Sequence, residues 1–345
     1  MPSTPTPRPA GAASAPKNWA PACCSRCWRW SDMGRPSMAL ALRRAGLGML
    51  WALCASTPGW AQASADCPPP GSSTASLRAL KAERFAIPAE ATRQGFALAL
   101  QPCLASPDAD LRDGVAFEAY STWMRAGQLS APTLRALSLQ LQARLLSTAP
   151  DAEGFAKPFA ALVLAEVTRA DRIAAWMTPD ERQAMVDSAG RYLQSIRDYR
   201  GLDAQQGWRH GVAHTADWMM QLALNPAVGK DQLDQLLQAL GTQLAAHDGH
   251  AYVYGEPERL VAPVLYAARR KLHSTAQWQA WLSQFAAMPE GMKPDAVYRS
   301  PPALAKRHNL QAFLLALYFK VTEGADEDLK LRLKPALVDA LKRLP

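Results

Sequence analysis

Catalytic signatures are missing from this chain. It has no G-x-S-x-G elbow, no P-loop and no G-x-G-x-x-G run. That removes the motif-based case for a serine hydrolase, a phosphate cradle or a dinucleotide site. The H-E-x-x-H pattern is absent too, so no general base is built into a histidine pair on one helical turn. No Gly/Ser-rich linker follows residue 75, which leaves a single domain there. Aromatic residues make up 8% and do not alternate with a basic stripe, so nucleic acid is not an expected partner. Cysteine is scarce where it would count. Of the six cysteines, only Cys67 and Cys103 lie beyond residue 63. The cluster Cys23-Cys24-x-x-Cys27 lacks the second ligand pair of a zinc module.

What is present begins with two processing segments. Residues 1–37 are rich in Pro, Ala and Ser, with too few periodic apolar residues to fold alone. They read as a disordered tail or as an overhang upstream of a true start at Met38. Residues 38–63 read as a secretory signal peptide. Arg43 and Arg44 supply its charge, residues 45–55 its short apolar run, and Ala61-Gln62-Ala63 a small-x-small cleavage site. The run falls short of the roughly 17 residues a spanning helix needs, so no transmembrane span is expected after cleavage. The expected location is periplasmic or secreted.

Export changes the meaning of the charge. The whole chain is formally +8, but residues 1–63 hold seven Arg/Lys and one Asp. The remainder keeps 31 basic and 29 acidic residues, close to neutrality. Export also gives Cys67 and Cys103 an oxidising environment, where an even pair suggests one disulfide; two unlinked thiols are the alternative.

Residues 64–345 are long enough for a large core and read as helix almost throughout. The expected windows are 75–86, 88–104, 108–126, 131–147, 157–175, 179–199, 208–224, 230–246, 256–272, 274–287, 303–322 and 327–343. Thr178-Pro179-Asp180-Glu181 carries a cap, a proline at the first helical position and a capping-box glutamate. Ser274-Thr275-Ala276-Gln277 repeats the box with glutamine. Only residues 251–254 could pass for a strand. Short connections make antiparallel neighbours, so the expected architecture is all-α. About six hairpins would form a HEAT-like superhelical stack, with a closed α/α toroid as the alternative.

One stretch gathers reactive side chains at a usable spacing. Asp198-Tyr199-Arg200-Gly201 is followed by Gly207-Trp208-Arg209-His210 and then by His214 and Asp217. On a helix over 208–224, His210, His214, Asp217 and Gln221 share an arc of roughly 60°. Three readings stay open: a solvated helix face, a hydrogen-bonded network lining a groove, or a divalent metal held by His210, His214 and Asp217. The arc carries no Lys or Glu, which disfavours the solvated face. Asp198, Arg200, Trp208, His210, His214 and Asp217 are therefore the ligand-binding candidates. They are expected to form one polar cluster inside the helical array.

The pattern Asp198-x-Arg200-Gly201, Gly207-Trp208-x-His210-x-x-Ala213-His214-x-Ala216-Asp217 resembles the bacterial family known as domain of unknown function 2785. Glu258-Arg259-Leu260 and the run opening Asn309-Leu310-Gln311 extend the likeness to about residues 80–325. Arg209 departs from it, standing where a small residue such as Ala is expected. The resemblance implies an all-helical protein with a recurring His/His/Asp face, and it implies no activity.

Elsewhere, His247, Asp248, His250 and Glu256 lie in a loop with Tyr252 and Tyr254, whose rings suit a sugar or a peptide. A polar turn with packed rings is the plainer reading. His273 and His308 read as structural, and Glu258–Arg259 as an ordinary ion pair at a helix start. The leading expectation is an exported ligand- or partner-binding module, the ligand being a small molecule, a glycan or a protein. The alternative is a cell-envelope hydrolase, metal-dependent or directed at glycans.

Overall fold

The computed structural model describes residues 67–286 and 294–344. The N-terminal extension and the signal-peptide segment fall outside the described residues. So does the end of the 274–287 window. All described residues belong to one compact unit, Ala61–Pro345.

The chain is all-α. In order come α1 (Thr74–Ala82), α2 (Glu90–Ala99), α3 (Glu118–Arg125), α4 (Ala131–Leu146), α5 (Ala156–Ile173) and α6 (Pro179–Ser195). They are followed by α7 (Gly211–Leu224), α8 (Lys230–Gln243), α9 (Glu256–Arg269) and α10 (Thr275–Ala286). The short α11 (Pro294–Val297), α12 (Pro301–Thr322) and α13 (Glu327–Arg343) complete the set. A π-wound segment, Asp110–Phe117, runs directly into α3. The motif-marked starts hold. Thr178 caps α6 by accepting from the Glu181 N–H (3.2 Å), and the Glu181 carboxylate accepts from the Thr178 N–H (2.7 Å). Ser274 and Gln277 exchange the same pair of bonds at the start of α10.

Alternate helices are neighbours. One row runs α3–α5–α7–α9–α12, and a second runs α2–α4–α6–α8. Helices α10 and α13 pack together, and α13 packs on α12. This order follows from helices joined by short connections, each burying an apolar stripe on the next. A closed toroid would pack α1 or α2 against α12 or α13; no extensive packing joins those ends among the described residues.

Helix α7 is the middle of the first row, and it is not amphipathic. Twelve of its fourteen residues are buried, so it has no solvated face of the usual kind. A buried carboxylate hub secures the chain around it. Asp171, at the end of α5, accepts from Arg182 Nε and Nη2 (2.7 and 3.0 Å), from Trp176 and Met177 N–H and from Asn225 Nδ2. Those bonds tie the α5–α6 and α7–α8 connections to one point.

The Cys67–Cys103 disulfide is present, with Cα atoms 4.8 Å apart. It fixes the first described residues to the tight turn Gln101–Ala105 after α2. No helix among the described residues is long and apolar enough to cross a membrane.

Two expectations fail locally. The helix expected from residue 208 begins at Gly211. Before it stands a small hairpin, β1 (Leu202–Asp203) against β2 (Gly207–Trp208), with Leu202 opposite Trp208. Its turn is held by Asp203 Oδ1, which accepts from the N–H groups of Gln205 and Gln206 (2.9 and 2.8 Å). Gly207 follows at φ +80°, a conformation that favours glycine. Conversely, residues 251–254 form no strand. The Tyr252 N–H donates to Asn309 Oδ1 and its hydroxyl to Gln243 O, so its polar groups find partners in α12 and α8.

Candidate functional site

The polar side chains of α7 are spent on its neighbours. His214 is buried, and its Nδ1 lies 3.2 Å from Pro158 O on α5. A carbonyl only accepts, so Nδ1 carries the proton and Nε2 keeps its lone pair. The ring also stands edge-on to Phe159 (5.1 Å). One turn on, Asp217 meets Arg259 of α9: Nε donates to Oδ1 (2.9 Å) and Nη2 donates to Oδ2. One further turn on, Gln221 Oε1 accepts from Arg172 Nε of α5 (3.2 Å). The absence of Lys and Glu on this arc thus reflects cross-bonding inside the row. Of the three readings, the hydrogen-bonded network describes His214, Asp217 and Gln221.

His210 does not share the helix with them. It precedes Gly211 in a left-handed conformation, φ 54° and ψ 40°. The cause lies in its neighbour. Arg209 is buried, and its N–H donates to Gly201 O (3.1 Å). Its side chain donates to Glu153 O (2.7 Å) and to Gln206 Oε1 (2.6 Å). Its guanidinium lies 4.4 Å from the centroid of the Phe155 ring, where Arg112 also sits at 3.9 Å. With Arg209 tethered to the hairpin and to the α4–α5 loop, the chain must turn sharply at residue 210 to enter α7. An ordinary residue in that conformation carries a backbone strain of about 1 kcal/mol or more.

The turn places the His210 imidazole among rings. Trp208 is 4.1 Å away, His214 6.0 Å and Tyr254 6.5 Å, centroid to centroid. His210 Nε2 is buried without a hydrogen-bond partner among the described residues. The ring bonds to the Tyr254 backbone, whose N–H is already given to Glu256 (2.9 Å). The side of Tyr254 left to face the ring is therefore its carbonyl. His214 thus holds its proton on Nδ1 against a carbonyl, and a proton on His210 Nδ1 facing Tyr254 would likewise leave Nε2 as an acceptor.

Asp198 and Arg200 stand apart from this group. Both are exposed, paired with each other at 2.6 Å, and Arg200 Nη2 also donates to Ala152 O (3.0 Å). Their closeness in sequence to His210 brings them to the α4–α5 loop, outside the array. Tyr254 comes close instead. A Cβ on Gly201 would run into its ring, and Trp208 meets it edge-on at 5.8 Å. Leu202 (48% exposed) and Val253 (69% exposed) flank this rim. His250 stacks on Tyr199 (4.9 Å), a ring pair adjacent to Tyr252.

Two residues here had little sequence signal. Arg259 looks like a routine helix-start cation and proves to be the partner of Asp217. Arg112, wholly buried, donates to Ser106 O (2.9 Å) and Gln206 O (2.7 Å) and so holds the hairpin from the other side. Its position in the π-wound segment gave no warning.

His210, His214 and Asp217 do not converge on a point between them. No group of three or more His, Cys, Asp or Glu side chains is placed to hold a metal ion among the described residues. Asp217 is occupied by Arg259, and that same cation lies near both imidazoles, which disfavours a second positive charge.

The electrostatics agree with neutral rings. Burial pulls His210 down to about 4, helped by Arg259, and burial takes His214 well below the ordinary histidine value. Burial pushes the Asp217 carboxyl up while the Arg259 guanidinium opposes it. A folded-state value below the unfolded one means that the unfolded chain binds the proton first. Stability should therefore fall as pH drops from about 6.5 towards 4. For His210 alone the loss between pH 7 and 5 is about 2 kcal/mol. Urea melts at both pH values check this: His210→Ala should fall by about 2 kcal/mol less than the parent. An equal fall in both would refute it.

No curated protein and no solved structure matches the chain. A family model does, over residues 143–319, from the end of α4 into α12. The match is narrower than the likeness read from the sequence: it leaves out the disulfide, Arg112 and α1 to α3. It covers the hairpin, His210, His214, Asp217 and Arg259, and over half of the chain. This protein is accordingly a member of the family described as protein of unknown function, DUF2785.

Proposed function

We propose that this protein is an exported, non-catalytic binding module whose recognition site is the rim formed by Trp208, His210 and Tyr254. One observation carries the reading. His210 holds a left-handed backbone and a buried, unpartnered Nε2, two unfavourable features at one residue. Strain of this kind persists at sites kept for a ligand. The free lone pair suits a hydroxyl or amide donor, which would reach it by displacing the Tyr254 ring. Trp208 and Tyr254 supply flat apolar faces beside it. The disulfide supports an oxidising compartment.

The hydrolase reading has less support. Asp217 is tied to Arg259 and Asp198 to Arg200, so neither carboxylate is free to act as an acid or base. Ligand-observed NMR of the purified chain tests the choice, with N-acetylglucosamine, muramyl dipeptide and trialanine as probes. At least one should show saturation transfer that disappears in His210→Gly, without product peaks. Glycine accepts the left-handed conformation, so this variant should melt no lower than the parent by more than about 0.5 kcal/mol. Silence with all three probes, or the appearance of hydrolysis products, would overturn the reading.

A further inference from the structure

A second cavity lies between α8 and α10, where helix packing is sparse. Helices α6 and α8 lie along one another, as do α10 and α13. Between α8 and α10 there is no comparable packing. Aromatic side chains hold them apart, leaving a cleft of about 560 Å³. That volume lies within the usual range for small-molecule sites.

The lining is selective. Trp278, Trp281 and Phe285 recur along one face of α10, with Trp281 edge-on to both others at 5.9 and 4.9 Å. Gly241 allows Phe285 to lie against α8, since a Cβ there would meet the ring at 2.9 Å. Around these rings stand the uncharged groups of Gln238, Thr242, Gln277 and Gln284. Among the described residues no Lys or Arg lines the cleft to pair with a phosphate or carboxylate. Its one carboxylate, Asp234, is engaged by Lys230 Nζ (2.6 Å) and His273 Nε2 (2.6 Å), which leaves little for a cation.

Two buried atoms define the chemistry further. Trp278 is 1% exposed and His273 6%, and both line the cleft. Trp278 Nε1 and His273 Nδ1 have no partner among the described residues. Their rings are 5.2 Å apart. Indole N–H only donates. With Nε2–H given to Asp234, the Nδ1 atom of His273 is an acceptor whenever the ring carries a single proton. A donor beside an acceptor is the complement of a hydroxyl, which accepts from one and donates to the other.

We propose that this cleft binds a neutral saccharide. One hydroxyl sits between Trp278 Nε1 and His273 Nδ1, the apolar face of the ring lies on Trp281, and the glutamine amides take the remaining hydroxyls. Titration of the full chain with glucose and with N-acetylglucosamine, followed by tryptophan fluorescence, tests it. At least one sugar should give a saturable change, weakened about tenfold in Trp281→Ala and in Gln238→Ala. Gln238 is exposed and its replacement leaves the core intact, so a folding defect in the tryptophan variant would not obscure the result. Glucose 6-phosphate should bind more weakly than glucose. Three results would overturn the proposal: no saturable change with either sugar, equal affinity in Gln238→Ala and the parent, or tighter binding of the phosphorylated sugar. Loss of sugar binding in His210→Gly alone would also overturn it, while leaving the rim site standing.

Discussion

Replacing Arg259 with methionine should lower the unfolding free energy by about 3–5 kcal/mol. The substitution keeps most of the volume and removes the charge. Asp217 is 7% exposed and would be left with neither its counter-ion nor the donors to its two oxygens. An isolated buried carboxylate is among the most costly groups in a protein interior. The carboxyl would respond by taking up a proton at higher pH, so part of the loss should return on acidification. The discriminating variant is the pair Asp217→Leu with Arg259→Met. Removing both charges together leaves nothing unpaired, and such exchanges are often neutral or stabilising. Urea melts of both single variants and of the double variant form a cycle. The double variant should lie well above Arg259→Met. Additive losses would mean that the two side chains do not act as a pair, and the account of α7 as cross-bonded would fail.

Opening the disulfide should have an effect of similar size. Cys67 and Cys103 close a loop with a sequence separation of 36 residues. Constraining a loop of that length in the unfolded chain corresponds to about 4 kcal/mol on the chain-entropy model. The Cys103 side chain is fully buried in the core cluster, so its replacement also carries a packing loss. The cleaner comparison is one protein melted in urea with and without reductant. The reduced form should unfold at a clearly lower midpoint. Coincident curves would show that the closed loop adds nothing to stability. A loss confined to probes near α1 would show that this end opens separately from the rest.

Most of the fold was legible because helical periodicity is local. Every expected window that falls on described residues contains helix, and α6 and α10 start at their capping boxes. The misses share a physical cause. The 208–224 window overran its start because apolar periodicity continues through Trp208. What stops the helix is the tether of Arg209 to Glu153 and Gly201, and no pattern of nearby residues encodes a bond to the α4–α5 loop. The Tyr252-Val253-Tyr254 alternation looked like a strand until Asn309, 57 residues on, took the backbone N–H. In the site, lack of Lys and Glu correctly marked the His214–Asp217 arc as different from a surface. Its partner Arg259 was hidden by standing where helices commonly carry charge. Asp198 and Arg200 misled in the opposite way: they are neighbours of His210 in the chain and belong to the surface.

The gap between α8 and α10 also shapes how the molecule deforms. The row through α7, α9 and α12 is continuous, whereas on the other side the packing is interrupted there. Among the described residues side chains alone span the seam there, Trp281 Nε1 donating to Leu237 O (3.3 Å) and the Phe285 ring lying on Gly241, so a change in helix spacing meets no extensive backbone packing at this place.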